Sequence, residues 1–337
     1  MKTQKGLVSI LTPAYNASQY IHRLLESVLM QDYPEIEMIV IDDGSTDNTK
    51  QLIESYIPKF QEKGYLLTCI YQENAGQAAA INRGLKLVKG QYLCWPDSDD
   101  FYATSISISK FVDALNNVDD SYAIVRSIGN FLKEDTFELT YKGLRFTTAE
   151  HQFEHSLLGL GFLNVPINYM VKMEAFDKVN PSRSIFTGRH PQNAQLFEPL
   201  LYSYKVKCIE SGLCNVLVRR NSHSHKYKGY EKTNDDIEGY IEIQLNTLDS
   251  IKEMSDSKRM EYKKRVLSYL YNEKLALSLR YYKKDDAKQI VIYLRQNGLE
   301  PDKGKMLRLR LLSINPYLLR FISAFHVFLK KIKNHIK

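Results

Sequence analysis

Glycine and proline together supply only 26 of 337 residues, which excludes collagen-like and low-complexity chains. Cysteine is equally scarce. Cys69, Cys94, Cys208 and Cys214 form no CxxC pair, so the chain lacks the spacing of a zinc ribbon, and reduced, cytosolic thiols are expected. No apolar run reaches the roughly 18 residues of a membrane-spanning helix. The longest, Leu318 to Leu329, is interrupted by Arg320, Ser323 and His326. The apolar run near the N-terminus breaks at Thr12-Pro13, too short for a signal peptide, and is taken as the start of a domain. No GxGxxG follows the first strand signal and no Walker A motif occurs, which argues against a dinucleotide oxidoreductase and a P-loop NTPase. No repeat at a fixed period is present.

What remains is a globular composition, 44% hydrophobic and 25% charged, long enough for about two domains at roughly 150 residues each. The formal charge of +7 is unevenly placed. Residues 303–337 hold nine Lys and Arg and no Asp or Glu, so residues 1–302 carry 37 basic side chains against 39 acidic ones. A nucleic-acid-binding protein, suggested only by net charge and this tail, lacks any recognised motif for that role.

The first hundred residues alternate strand and helix signals. Leu7 to Leu11 is a short buried run. Ile21, Leu24, Leu25, Val28 and Leu29 then recur at the spacing of one helix face. Ile36 to Ile41, Leu66 to Tyr71 and Gln91 to Trp95 are further strands, separated by helices from about Asp47 and over Ala78 to Val88. Such alternation implies a parallel sheet with crossover helices, whose ligands bind beyond the carboxyl ends of the strands. The segments there are Thr12 to Asn16, Asp42 to Ser45, Glu73 to Gln77 and Asp97 to Asp100. From about Ser121 a hairpin-like stretch is expected (Ala123 to Phe131, then Phe137 to Phe146). It is followed by a strand at Asn168 to Lys172, a helix near Asn193 to Tyr204, and two short strands, Val206 to Glu210 and Val216 to Arg220. Helices follow from Asp235 to Gln296.

Asp97-Ser98-Asp99-Asp100 sets three carboxylates at a strand exit. Like charges about 4 Å apart repel by about 4 kcal/mol at an effective dielectric near 20, and a bound cation would relieve that. Hard oxygen ligands favour magnesium or manganese, bridging carboxylates to nucleotide phosphates. The alternative is a solvated acidic turn. Asp42-Asp43-Gly44-Ser45 suits a helix cap with glycine at positive φ. It also suits a reader of a nucleobase, with Asp43 accepting from the base and Tyr15 stacking on it.

The runs VSILTPAYN, VIDDGSTD, ENAGQAAAINRG and CWPDSDD, in this order and spacing, resemble the donor-binding half of family 2 glycosyltransferases of the GT-A fold. The resemblance is strong over residues 6–105, weaker to about 225 and absent beyond. It implies an α/β, Rossmann-like mixed sheet with a C-terminal helical extension. The domains are then 1–225 (donor half 1–105, acceptor half 106–225), a helical extension over 226–302 and a basic tail over 303–337. It further implies an inverting transferase using a nucleoside-diphosphate sugar, most often uridine-linked, and a divalent cation, Mn or Mg. Pro13, Ala14, Tyr15, Asp42, Asp43, Asn74, Gln77, Asp97 and Ser98 would face the donor. Asp99 and Asp100 would hold the metal, and His225 and Arg220 would return to the diphosphate. His223 and His225, two apart on a strand, would face one side.

Relatives in this family usually supply a carboxylate base from a Glu-Asp pair. Here the matching positions are Gln192-Asn193, and an amide cannot take up a proton. Glu198, His190 or Asp177 could substitute, or Asn193 and Gln195 could only orient the acceptor. A chain that binds donor without turning it over is the third alternative.

In the tail, Asn315-Pro316 is a helix start. Leu318, Phe321, Ile322, Phe325, Phe328, Leu329, Ile332 and Ile336 then form an apolar stripe. A basic amphipathic helix suits an anionic membrane surface; docking on the protein's own core is the alternative. The expected setting is the cytoplasm, peripheral on the inner face of the cell membrane, with a glycan or lipid-linked glycan as acceptor in surface polysaccharide synthesis.

Overall fold

The structure is a computed structural model that describes residues 3–142, 148–159, 165–188, 192–219 and 229–314, Lys142 by its backbone only. The chain divides into two compact units, one of residues 1–226 with 246–254, the other of 227–245 with 255–337.

In the first unit the apolar spacings become elements as expected. Val8, Ile10 and Leu11 are wholly buried in β1 (Gln4–Ala14), and Ile21, Leu24, Leu25 and Val28 form the buried stripe of α1 (Ile21–Leu29). β2 (Ile36–Asp43) is buried along its whole length, as a central parallel strand covered on both faces must be. α2 (Thr49–Glu62), β3 (Leu66–Gln72), α3 (Gln77–Leu85) and β4 (Gly90–Cys94) complete the alternation. β1 pairs in parallel with β2 and β4, and β2 with β3. The four strands therefore end at one edge of the sheet.

The second half of this unit changes direction. After β5 (Phe101–Tyr102) comes α4 (Ser107–Asn116), whose Ile108, Phe111, Val112 and Leu115 are buried at helical spacing. β6 (Tyr122–Lys133) turns back into β7 (Leu139–Lys142), the expected hairpin, and residues 143–146 of the expected second arm lie outside the described residues. α5 (Phe153–Leu157), β8 (Tyr169–Lys172), α6 (Met173–Val179), α7 (Asn193–Ser203) and β9 (Lys205–Val218) follow. The sheet order is β3-β2-β1-β4-β8-β6-β9-β5, with β7 on β6. β8 runs antiparallel to β4 and β6, making the sheet mixed.

The two short strands expected over Val206 to Arg220 are one strand, β9. Its polar interruption Glu210-Ser211-Gly212 is an irregularity in the pairing with β6 rather than an end: Ser127 pairs with Ile209, and Ile128 with Gly212. Glycine fits the close approach there, since a Cβ at Gly212 would lie 2.1 Å from Asn130 Oδ1 and force that side chain to move.

The second unit is helical: the first part of α8 (Gly229–Ser250), α9 (Asp256–Arg280), α10 (Lys284–Gln296) and α11 (Lys303–Ile314). Leu275, Leu279, Ala287, Ile290 and Leu294 form its core together with Leu309 and Leu312 of α11. The first third of the basic tail thus docks on its own unit. Residues 315–337 lie outside the described residues. Among the described residues no helix is long and apolar enough to cross a membrane.

Candidate functional site

The loops after β1 and β2 are sewn together. Asn16 N–H donates to Ser45 Oγ (2.9 Å), Thr46 N–H to Asn16 Oδ1 (2.8 Å), and Ala17 N–H to Thr49 Oγ1 (2.7 Å). Ser18 donates from backbone and hydroxyl to Asp47 Oδ2 (3.2 and 2.7 Å). Pro13 and Ala14 close β1, and the next residue, Tyr15, is 53% exposed at the sheet edge. A ring left open beside polar loops is available for stacking.

Asp42 and Asp43 are buried and do different things. Asp42 Oδ1 accepts from Ser45 N–H (2.9 Å), tightening the turn. Asp43 Oδ1 accepts from Gln72 Nε2 (2.7 Å) and Ala75 N–H (3.0 Å), Oδ2 from Gly76 N–H (2.8 Å), while its carbonyl accepts from Asn74 Nδ2 (2.8 Å). Asp43 therefore builds the loop leading into α3. Each carboxylate oxygen has two lone-pair directions, and one on Oδ2 is left for a ligand.

Gln77, the first residue of α3, donates from Nε2 to Asp97 Oδ1 (3.0 Å), joining the third loop to the fourth. In the fourth loop burial, with Asp99 beside it, pushes the Asp97 carboxyl up to about 7. Burial also raises Asp99, against the pull of Arg219. Asp100 is raised well above the usual carboxylate range by burial, then by Asp99 and Asp97. Asp100 is only 4% exposed and accepts from Leu217 N–H (3.1 Å), anchoring the turn to β9. Asp97, Ser98 and Asp99 are partly exposed. The one cation paired here among the described ion pairs is Arg219, its Nε 2.7 Å from Asp99 Oδ2.

Among the described residues no group of three His, Cys, Asp and Glu forms a ready cage for a metal. Two partly open carboxylates with excess negative charge do suit a hard divalent cation that completes its shell with phosphate oxygens and water. The residues present fit such an ion, with Asp100 serving the turn rather than the surface.

In the second half of the first unit, α7 is held by Phe197, wholly buried with its ring centroid 4.0 Å from Tyr169 and 4.8 Å from Trp95. Glu198, next along, is also wholly buried, and its Oε1 accepts from Ser156 Oγ (3.0 Å). A carboxylate in that place ties α7 to α5. Asp177 is taken by Arg183, which forks onto it at 2.7 and 2.8 Å. Gln192 donates to Gly188 O, and Gln195 clamps Phe186 from both sides, accepting from its N–H (2.8 Å) and donating to its carbonyl (3.1 Å). Asn193, at the start of α7, is partly exposed. His190, Arg220, His223 and His225 lie outside the described residues.

Sequence reasoning missed Tyr20, Glu134 and Arg219 as neighbours of the acidic turn. Arg219 directly after a strand was the one signal present. Tyr20 and Glu134 lie 114 residues apart yet hydrogen-bond at 2.9 Å, which no local pattern announces.

A mixed sheet with four polar loops at the carboxyl edge of its parallel half is the arrangement of a GT-A glycosyltransferase fold, which similar solved structures bear out. Residues 9–179 match the family described as Glycosyl transferase family 2, and the chain belongs to that family. It is 42% identical over 100 residues to the putative teichuronic acid biosynthesis glycosyltransferase TuaG of Bacillus subtilis, covering 30% of this chain and 38% of TuaG. The match spans little more than a third of the length of TuaG and of similar relatives. S. aureus TarS 1-349 in complex with UDP-GlcNAc shares the fold at a TM-score of 0.52 and 18% identity, over 87% of this chain and 92% of that one. The mannosyltransferase PcManGT from Pyrobaculum calidifontis, in complex with GDP-Man and Mn2+, does so at 0.55 and 15%, over 97% and 86%.

Proposed function

We propose that this chain is a metal-dependent, inverting glycosyltransferase. It would pass a sugar from a nucleoside diphosphate, uridine-linked, to a hydroxyl of a glycan or lipid-linked glycan in surface polysaccharide synthesis. The observation that carries the reading is the gathering of Tyr15, Asp43, Gln77, Asp97 and Asp99 on four loops at one sheet edge, cross-linked by Asp43 and Gln77. In this reading Tyr15 offers its ring to the base, and Asp43 Oδ2 accepts a base N–H with its remaining lone pair. Pro13, Ala14, Asn74 and Ser98 line the same edge. Asp99 and Asp97 would hold the cation, which supplies stabilisation of negative charge on the leaving diphosphate. Family membership and the UDP-GlcNAc bound by the structurally similar TarS support the donor class.

Thermal-shift measurements with UDP, GDP and their sugars, with and without manganese, test this, because a ligand that binds only the folded state raises the melting temperature. UDP and UDP-sugars should raise it, further with manganese. A shift from GDP alone would overturn the uridine assignment, and no shift from any nucleotide would overturn the function.

A second reading, donor binding without turnover, is favoured by the burial of Glu198 and the pairing of Asp177 with Arg183. Metal-dependent hydrolysis or transfer of donor sugar would exclude it.

For the tail, the reading is peripheral membrane association of the basic segment 303–337, tested on its part beyond α11. Because Leu309 and Leu312 belong to the core of the second unit, truncation from 315 spares them. Loss of flotation with anionic vesicles on that truncation is expected, and unchanged flotation would refute it.

A further inference from the structure

Arg219, the residue after β9, stands on a built perch. Its Nε lies 2.7 Å from Asp99 Oδ2, with the two side chains 27% and 17% exposed. Its guanidinium lies 4.6 Å from the centroid of the Tyr20 ring, a cation–π geometry. Tyr20 is itself fixed, its hydroxyl donating to Glu134 Oε1 at 2.9 Å, and Glu134 is tied to β9 through its N–H to Val218 O (3.3 Å). Ring, guanidinium and carboxylate therefore come from the end of the first loop, the end of β9 and the acidic turn.

Asp99, which Arg219 occupies, is one of the two carboxylates that would hold a divalent cation. A guanidinium already paired with Asp99 neutralises the charge that would attract the ion, and two cations held against one carboxylate repel each other, so each weakens the other's hold. We propose that Arg219 is the resident counter-ion of Asp99 and that a divalent cation binds by taking Asp99 from it, with Tyr20 retaining the released guanidinium. The inference rests on the metal reading of the acidic turn. It adds to that reading an intramolecular competitor, which lowers cation affinity in the nucleotide-free protein. Arg219 is thus a positioning residue that acts through Asp99.

The test is direct titration of Mn2+ by electron paramagnetic resonance, in which the signal of the free aquo ion is lost on binding, with no sugar donor and no turnover. Arg219→Gln should bind Mn2+ about tenfold tighter than the unaltered chain, the size expected for one partly buried ion pair. Arg219→Lys, which keeps the charge and loses the planar fork, should fall between. Asp99→Asn should abolish the gain. Melting curves of each variant identify any that fail to fold, and Arg219→Lys then serves in place of Arg219→Gln. Equal or weaker Mn2+ binding by both arginine variants overturns the proposal while leaving the metal site standing. Absence of Mn2+ binding in every protein, with or without UDP, instead overturns the metal reading and the proposal with it.

Discussion

Asp43 at the end of β2 holds the N–H of Gly76, 33 residues further along the chain, at 2.8 Å. The same carboxylate holds Ala75 N–H and Gln72 Nε2, so one side chain shapes the loop between β3 and α3. Asp43→Asn substitutes an NH2 for one of the two acceptor oxygens and leaves a buried N–H facing a donor, at a cost of about 1–3 kcal/mol. Amide exchange at Ala75 and Gly76 should accelerate. UDP affinity measured by calorimetry should fall about tenfold, the equivalent of about 1.4 kcal/mol.

Gly44 has φ +79°, and a Cβ there would lie 2.7 Å from Asn74 N. Backbone on one side and left-handed geometry on the other leave no room to relax. Gly44→Ala should cost about 1–3 kcal/mol and displace Asn74. A melting temperature within a degree of the parent would show that the turn has more freedom than this packing allows.

Asp47 ties the first loop to α2. Burial opposes its ionisation, but hydrogen bonds from Thr49 and Ser18 outweigh it and hold the carboxyl below its usual range. A carboxyl lowered in the folded state stabilises the fold above its unfolded pKa, and that stability is lost as pH falls through the folded value. Asp47→Asn should therefore lower stability by about 1 kcal/mol at neutral pH. The gap should close at strongly acidic pH. A gap independent of pH in chemical denaturation would mean that the charge is not what matters.

Glu198 sits inside the first unit, where Ser156 donates to it. Glu198→Gln should lower the melting temperature by about 2–8 °C, corresponding to about 1–2 kcal/mol in a domain of this size. Transfer per folded molecule should stay within about twofold. A loss of a hundredfold or more at unchanged stability would return Glu198 to the reacting centre.

The carboxyl edge of the parallel strands was legible because it depends on local signals. The helix-face spacing of Ile21, Leu24, Leu25 and Val28 and the continuous apolar run Met38 to Ile41 are local patterns in the chain. Parallel pairing with crossover helices then brings the four strand ends to one edge. α4 carried the same kind of signal in Ile108, Phe111, Val112 and Leu115, although it was not anticipated. The break in β9 was misleading because Glu210-Ser211-Gly212 resembles a turn. Only the partner strand β6 shows that it is an irregularity within a continuous ladder.

The acceptor side followed the opposite logic. Asp177, Gln192, Gln195 and Glu198 all looked available in the sequence, where a polar side chain carries no mark of its partner. Folding assigns Asp177 to Arg183, Gln195 to Phe186 and Glu198 to Ser156, because a buried polar group must find a hydrogen bond. The sequence alone determined the order of strands and helices through β4, the placing of positive charge in the tail and the four polar loops. The tertiary structure decided which of those polar groups are engaged elsewhere, and it set Arg219 against Asp99 across 120 residues of chain, a pairing that exists only once β9 has joined the sheet.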